Sequence, residues 1–488
     1  MKKGRKIFAV LLSVLLMFVG SLPMHANSPY LGYTYNFWAV PVPAPVAYMA
    51  TRTITAEDIS GELGRFINPM DMCVTDEGHI HLLDTGNNRI VVFDQDLYLI
   101  RVIDSFIMDG EEEHFNSPNG IFICVNSYIY IADTENRRIV VLDLYGNFVS
   151  VIQNPDLGDI DDEVDFRPLR VAVDSAGRVY VIVWHVFEGI MRFDQYGNFF
   201  GYFGTINVRV SAADLFWRMI ATTEQRARMR RFIPTEFTGL DVDDYGFVFA
   251  THSHSAYGWD QVMRINPRGN NVLRNYNENT YFSGVQGGAR MFSPSHFVDV
   301  VARPYGKFSV LDGTCSRIYT YDSEGNMLYV FGGESNIMGM ARRPVAINTI
   351  GDTIIILDAA RGRIIYFEPT DYGKLINEAV ALRYDGYEEE SVEAWRQVLL
   401  INEHSELAFT GVGRAYLLAG EYVLAMDYLL RGMDLRYYSM ALARRRELFI
   451  DRNLPLVLTV GMVLILSLVT YSIVHKIRHI GYEEGEDI

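Results

Sequence analysis

One apolar block recurs along the middle of the chain and closes each time on Asp, Asn or Glu. It reads Ile90-Val-Val-Phe-Asp94, Ile139-Val-Val-Leu-Asp143, Ile190-Met-Arg-Phe-Asp194, Val262-Met-Arg-Ile-Asn266, Ile318-Tyr-Thr-Tyr-Asp322 and Ile364-Ile-Tyr-Phe-Glu368. The closing residues are 49, 51, 72, 56 and 46 positions apart. A proline opens each unit, at Pro69, Pro118, Pro168, Pro234, Pro294 and Pro344. Phe66, Phe115, Phe166, Phe232 and Phe292 stand just before five of them. Two further apolar runs precede each block, divided by turns such as Asp76-Glu-Gly78, Asp174-Ser-Ala-Gly177 and Asp243-Asp-Tyr-Gly246. After the block comes Asp143-Leu-Tyr-Gly-Asn147, Asp194-Gln-Tyr-Gly-Asn198 or a close variant, then a fourth run such as Phe148–Ile152. Glycine supplies positive φ in such turns, and Asp or Asn caps them. Four short strands in each of six repeats predict a six-bladed β-propeller. A single blade leaves its faces uncovered, so the six must close into a ring.

Four units carry a finer mark. Asp84 precedes Arg89 by five residues, and the spacing returns at Asp133 and Arg138, Asp312 and Arg317, and Asp358 and Arg363. Asp84-Thr-Gly-Asn-Asn-Arg89 and Asp133-Thr-Glu-Asn-Arg-Arg138 resemble the NHL repeat, over about residues 66 to 370. These residues are expected to be structural, Asp capping the loop between the second and third strands. By spacing, unit three has Trp184 and Gly189 at those places, and unit four has an insertion there. Blade six lacks a fourth strand of its own, and Ala47 to Ile54, after the proline-rich Pro41 to Pro45, is the candidate to supply it.

Strand alternation fixes a geometric consequence. Second and fourth strands run the same way, so their exits share one face. The long insertions at 105–114, 154–165, 205–231 and 276–291 follow fourth strands, and the one at 253–260 follows a second strand. All are expected on one face, where long loops concentrate binding. Ser211 to Arg231 predicts one or two short helices with Trp217 among its apolar residues and Arg226 and Arg230 among its basic ones. Such a segment is either a docking surface for an acidic partner or glycan, or a lid with solvated arginines.

Beyond residue 373 the apolar period changes to that of helices, expected at Glu378 to Tyr384, Glu388 to Ile401, Ala408 to Leu418 and Tyr422 to Asp434. Ala408-Phe-Thr-Gly-Val-Gly-Arg-Ala-Tyr416 with Gly420-Glu-Tyr-Val-Leu-Ala425 resembles a tetratricopeptide repeat, and Gly386 lies 34 residues before Gly420. The resemblance implies protein–protein contact, and so short an array is expected to pack on something else. Leu454 to Val474 holds no charged residue and is long enough to span a bilayer. His475, Lys476, Arg478 and His479 follow it, which favours a cytoplasmic tail, although Arg444, Arg445, Arg446 and Arg452 precede it. At the other end, Lys2, Lys3, Arg5 and Lys6 lead into apolar Ile7 to Val19 and then Met24-His-Ala26, the layout of a secretory signal. The expected organisation is a signal peptide at 1–26, a proline-rich leader with the closing strand at 27–65, the propeller at 66–373, the helical stalk at 374–450, a transmembrane helix at 454–474 and a tail at 475–488. The bulk is then expected outside a bacterial membrane, crossed once.

Charge and chemistry narrow the reading further. The net charge of -17 argues against nucleic acid as a partner. Cys73, Cys124 and Cys315 show no metal-type spacing. No Gly-x-Ser-x-Gly, P-loop, HExxH or CxxC motif occurs. The acidic run Asp156, Asp159, Asp161, Asp162, Glu163 and Asp165 lacks the Gly and terminal Glu of a calcium loop and reads as solvated. His185, His252, His254 and His296, with Trp184 and Trp259 nearby, are the candidates for a divalent metal in the central channel, a site that needs its ligands at one depth. No cofactor is expected otherwise. The layout, including the Tyr33-Thr-Tyr-Asn-Phe-Trp38 leader, resembles membrane-anchored NHL-repeat proteins found alongside bacterial sugar-uptake ABC transporters. The resemblance implies a non-enzymatic binding or scaffold protein whose partner is an envelope or transporter protein, or a glycan. Trp184, His185, Trp217, Arg226, Arg230, His252, His254 and Trp259 on the elaborated face are its candidate contacts. The alternative is an extracytoplasmic lyase- or lactonase-like enzyme with a channel metal.

Overall fold

The computed structural model describes residues 28–38, 40–155, 165–204, 236–252, 261–273, 295–335, 337 and 339–483, with side chains up to 476. Six antiparallel sheets stand around one axis, and a run of helices follows them. Blade one comprises Asp71–Val74, Ile80–Asp84, Arg89–Phe93 and Leu99–Ile103, from the axis outward. Blade two comprises Gly120–Ile123, Tyr128–Asp133, Arg138–Asp143 and Phe148–Ile152. Blade three comprises Pro168–Val173, Val179–Val183, Ile190–Phe193 and Phe199–Phe203. Among the described residues blade four has Phe237–Val242, Val248–His252 and Val262–Ile265. Blade five has Phe297–Ala302, Phe308–Asp312, Arg317–Tyr321 and Met327–Gly332. Blade six has Pro344–Ile350, Thr353–Asp358 and Arg363–Pro369, and its outer strand is the N-terminal Tyr48–Thr55, with Ile54 opposite Ile364. The innermost strands neighbour one another from blade one round to blade six and back to blade one, so the ring is closed.

Local chemistry explains the repeated turns. In the blade-two turn Asp143 Oδ1 accepts from the amides of Tyr145 and Asn147, both at 2.8 Å, while Gly146 adopts φ 92°. Asp94, Asp174, Asp194, Asp243 and Asp322 hold their turns by the same pair of contacts to the residues two and four further on. Between blades the core is aliphatic and aromatic: Ile129, Ile131, Val140 and Leu142 pack with Leu83, Ile90 and Phe115, and Phe166 with Phe193 and Val181. Each such side chain contributes about 1.5–3 kcal/mol on burial. Two hairpins decorate the ring. The insertion after blade one forms Ser105–Met108 and Glu111–His114, and the leader forms Tyr33–Tyr35 and Pro41–Pro43 on the outer edge of blade five.

The helices begin where blade six ends. Helix α1 (Asp371–Tyr384) starts seven residues before the expected Glu378 because Thr370 caps it: its hydroxyl accepts from Gly373 N and donates to Val46 O. Helices α2 (Glu388–Ile401), α3 (Glu406–Leu418) and α4 (Tyr422–Arg431) then pack in succession. Two polar knots weld them to the ring. Arg303, almost wholly buried, donates to the hydroxyls of Tyr48 and Tyr329, and Asn377 of α1 bonds both hydroxyls in turn. Glu324, in the blade-five turn, takes Arg383 of α1 at 2.8 Å and Arg414 of α3 at 3.1 Å. A buried charge with several partners of this kind avoids the cost of an unpaired one.

Helix α5 runs unbroken from Leu435 to Glu483, through Pro455. It is long and apolar enough to cross a membrane, and among the described residues nothing covers its apolar stretch. The arginines at 444–446 and 452 belong to this same helix.

Candidate functional site

At the axis, strand register aligns six positions: Asp71 opposite Leu83, Gly120 opposite Ala132, Arg170 opposite Ile182, Gly239 opposite Thr251, Asp299 opposite Leu311 and Ala346 opposite Leu357. The small residues are required there. A Cβ on Gly120 would sit 2.6 Å from Leu169 O, and one on Gly239 would sit 2.5 Å from the Asp299 Cα. Arg170 belongs to blade three, which stands opposite blade six in a ring of six. Its guanidinium donates to Asn119 O at 2.7 Å, to Met70 O at 3.2 Å and to Val345 O at 3.0 Å, and pairs with Asp71 at 3.1 Å. One side chain therefore reaches across the axis and ties blades one, two and six to blade three.

The carboxylates around it satisfy sheet edges. Innermost strands present unpaired amides toward the axis. Asp71 accepts from Ile121 N at 2.9 Å, Asp299 from Ile347 N at 2.9 Å and, one step along the strand, Asp241 from Ala302 N at 2.7 Å. Each carboxylate thus bonds the inner strand of the next blade. Burial raises all three carboxylates: Asp241 to about 7, and Asp299 to about 8 and Asp71 upward against the pull of Arg170. Sequence reasoning passed over this group. Its signal was the repeat alignment, in which Asp71, Arg170 and Asp299 each stand two residues after Pro69, Pro168 and Phe297, where the other units have Gly or Ala.

The repeat residues form clamps in three blades. Asp84 accepts from Ile67 N at 2.7 Å and from Arg89 Nε at 2.9 Å, and Arg89 donates to Leu63 O. Asp133 accepts from Asn116 N and Arg138 Nε at 2.7 and 2.9 Å. Asp358 accepts from Arg343 N and Arg363 Nε at 3.1 and 3.2 Å. Each Asp joins the segment entering a blade to the loop between its second and third strands. Blade five departs from the sequence expectation. Asp312 takes the Ser295 hydroxyl and the amides of His296 and Thr314, while the Arg317 guanidinium lies 5.1 Å over the ring of Tyr33 from the leader hairpin.

Blade three needs a second correction. Its loop is one residue longer than that of blade one, so register places Val183, not Trp184, level with Asp84. Trp184 instead stacks on His185, with ring centroids 3.6 Å apart, and the Arg167 guanidinium lies 5.2 Å over its ring. His185 is exposed, with positive φ and Nε2 3.9 Å from Glu236. In blade four His252 occupies the clamp position itself, buried opposite Phe237. His296 contributes its backbone to Asp312 and Gly313. Trp217, Arg226, Arg230, His254 and Trp259 lie outside the described residues. Among the described residues no group of three His, Cys, Asp or Glu side chains is disposed to hold a metal.

A scan against family models finds no match. Curated proteins give no relative either. Solved structures do share the fold. Virginiamycin B lyase from Staphylococcus aureus has 12% identity, covers 66% of this chain and 99% of its own, and superposes with a TM-score of 0.42. A streptogramin B lyase has 12% identity, covers 62% and 94%, and gives 0.39. A protein of unknown function from Bacteroides thetaiotaomicron has 12% identity, covers 62% and 70%, and gives 0.38. Such identities concern the fold and not the chemistry.

Proposed function

We propose that this chain is a membrane-anchored binding protein built on an NHL-type propeller, without catalytic activity of its own. The observation that carries the reading is the axial position of Arg170. Its guanidinium, the carboxylates around it and their strand amides use the centre of the ring as a structural tie, where a channel enzyme would keep its reactive groups. The competing lyase- or lactonase-like reading needs histidines converging at one depth. His252 instead occupies a clamp position and His185 is exposed beside Glu236. The clamps of blades one, two and six support the NHL assignment.

On this reading a signal at 1–26 exports the chain, α5 anchors it, and the ring and the tetratricopeptide-like helices stand outside the cell. The insertion face, with Trp184 and His185, engages an envelope or transporter protein of a sugar-uptake system, or a glycan. Full-length protein purified from gently solubilised membranes, with its partners identified by mass spectrometry, tests this. Recovery of a transporter subunit that is lost when Trp184 and His185 are both replaced by Ala is the expected result. Recovery of no envelope component overturns the partner assignment, and protease protection of the ring in intact cells overturns the orientation.

A further inference from the structure

On the face that carries the turns after the first and third strands, the C-terminal end of α1 stands beside blades four and five. Between them opens a cleft of 470 Å³, lined by Phe247, Arg264, Asn266, Val272, Ser323, Glu324 and Tyr384. Its volume falls in the range of small-molecule sites, about 300–1,000 Å³. Two units build it: blades four and five supply floor and one wall, and α1 supplies Tyr384 as the other.

We propose that this cleft binds a neutral saccharide. The inference rests on the reading of the chain as a binding protein and names its ligand class. The charges in the cleft are already balanced within the protein. Arg264 lies 4.2 Å over the Phe247 ring and bonds Asp243 at 3.3 Å, and Glu324 is held by Arg383 and Arg414. A charged ligand would meet no surplus of the opposite sign. The walls ask for something else. Phe247, Val272 and Tyr384 offer apolar and aromatic surface, and Tyr384 is more than one-third exposed. Among them stand polar groups free to meet a ligand: the Nε of Arg264, which has no hydrogen-bond partner among the described residues, and at the lining the Nδ2 of Asn266, whose Oδ1 is engaged by its own turn, and the hydroxyl of Ser323. The first two only donate, and a hydroxyl both donates and accepts. A ligand that fits shows an apolar C–H face to the aromatic wall and hydroxyls at its rim, each able to accept from Arg264 or Asn266 and to exchange a bond with Ser323. A pyranose ring has this pattern. Because Tyr384 belongs to α1 and the other wall to the ring, such a ligand bridges the propeller to the helices that lead into α5.

Full-length protein in nanodiscs, titrated with cellotetraose, maltotetraose, xylotetraose, mannotetraose and galactotetraose by calorimetry, tests this. At least one is expected to bind. Tyr384→Ala, which removes the wall, and Val272→Trp, which fills the cleft, are each expected to weaken that binding by about tenfold or more. Tyr98→Ala, on an exposed turn of blade one, is expected to leave it unchanged, and all three variants are to melt as the parent does. Binding of none of the five, or equal binding by both cleft variants, overturns the site. Cleaved or unsaturated sugar in the cell after titration overturns the non-enzymatic reading while supporting the site.

Discussion

Blades one, two and six tie each incoming segment to the loop between their second and third strands with a buried Asp and its Arg. Blade three has the same four strands, blade four has the first three of them among the described residues, and both have the same Asp-Gly turns, yet Val183 and His252 stand where the Asp should be. The difference separates what the ring needs from what the repeat habitually uses. Strand pairing and inter-blade apolar packing are present in all six blades. The clamp is absent in the two blades that the chain joins through the longest insertion, residues 205–231, and present in blade two although insertions precede and follow it. On that unclamped side the ring is held instead by Arg170, which anchors blade three to the opposite half of the molecule.

The comparison can be broken at several points. The largest loss is expected from Arg170→Met. It leaves Asp71 and Asp299 without their cation and three carbonyls without a donor, and removing one partner of a buried pair costs about 3–5 kcal/mol. Denaturant unfolding of the solubilised protein measures it, and an unchanged midpoint would refute the axial tie. Asp133→Ala should come next, at about 2 kcal/mol, because it leaves the Arg138 Nε and the Asn116 amide without their acceptor while Glu113 still pairs with the other end of the guanidinium. The third concerns pH. Asp241 and Asp299 titrate higher in the folded ring than in the unfolded chain, so folding takes up protons, and stability from this pair falls as pH rises toward 7 to 8. Asp299→Asn is expected to remove a decline of about 1 kcal/mol per pH unit between pH 5 and 7, measured by melting the variant and the parent in parallel. His81, buried and held neutral with its pKa lowered to about 4, acts in the opposite sense as pH falls below 6.5. It is common to both proteins and cancels in the difference. The smallest effect belongs to Trp184→Ala: about 1 kcal/mol or less, since the indole is partly exposed and belongs to no clamp. A loss as large as that of Asp133→Ala would erase the contrast between the two kinds of blade.

Much of the fold was legible because its signals are local. The Ile90–Asp94 type of block and the Asp143–Asn147 type of turn each write a strand or a reversal within five residues, and six copies specify a ring. The axial group was not legible in that way. Arg170 and Val345 are 175 residues apart, and nothing near Arg170 in sequence announces a partner across the axis. Only the aligned repeats show a charge where a small residue is usual. The start of α1 was missed for a related reason: Tyr372, Gly373 and Ile376 are buried against the ring, so the first turns of that helix follow the packing demands of blade six and not an isolated helical pattern. His252 illustrates the converse. Two histidines spaced two apart suggest a ligand pair, but register puts the first of them in a position that the fold reserves for a structural residue.

The outer strand of blade six has a consequence for biosynthesis. Ile54 must wait for Ile364, and at a translation rate of about 5–20 residues per second the interval is roughly 15–60 s. During that time five sheets exist with an unsealed seam, and the strand that will close it is already beyond the ribosome. Completion comes only as the hydrophobic anchor is about to emerge, so maturation of the ring and its delivery to the bilayer fall within the same brief window.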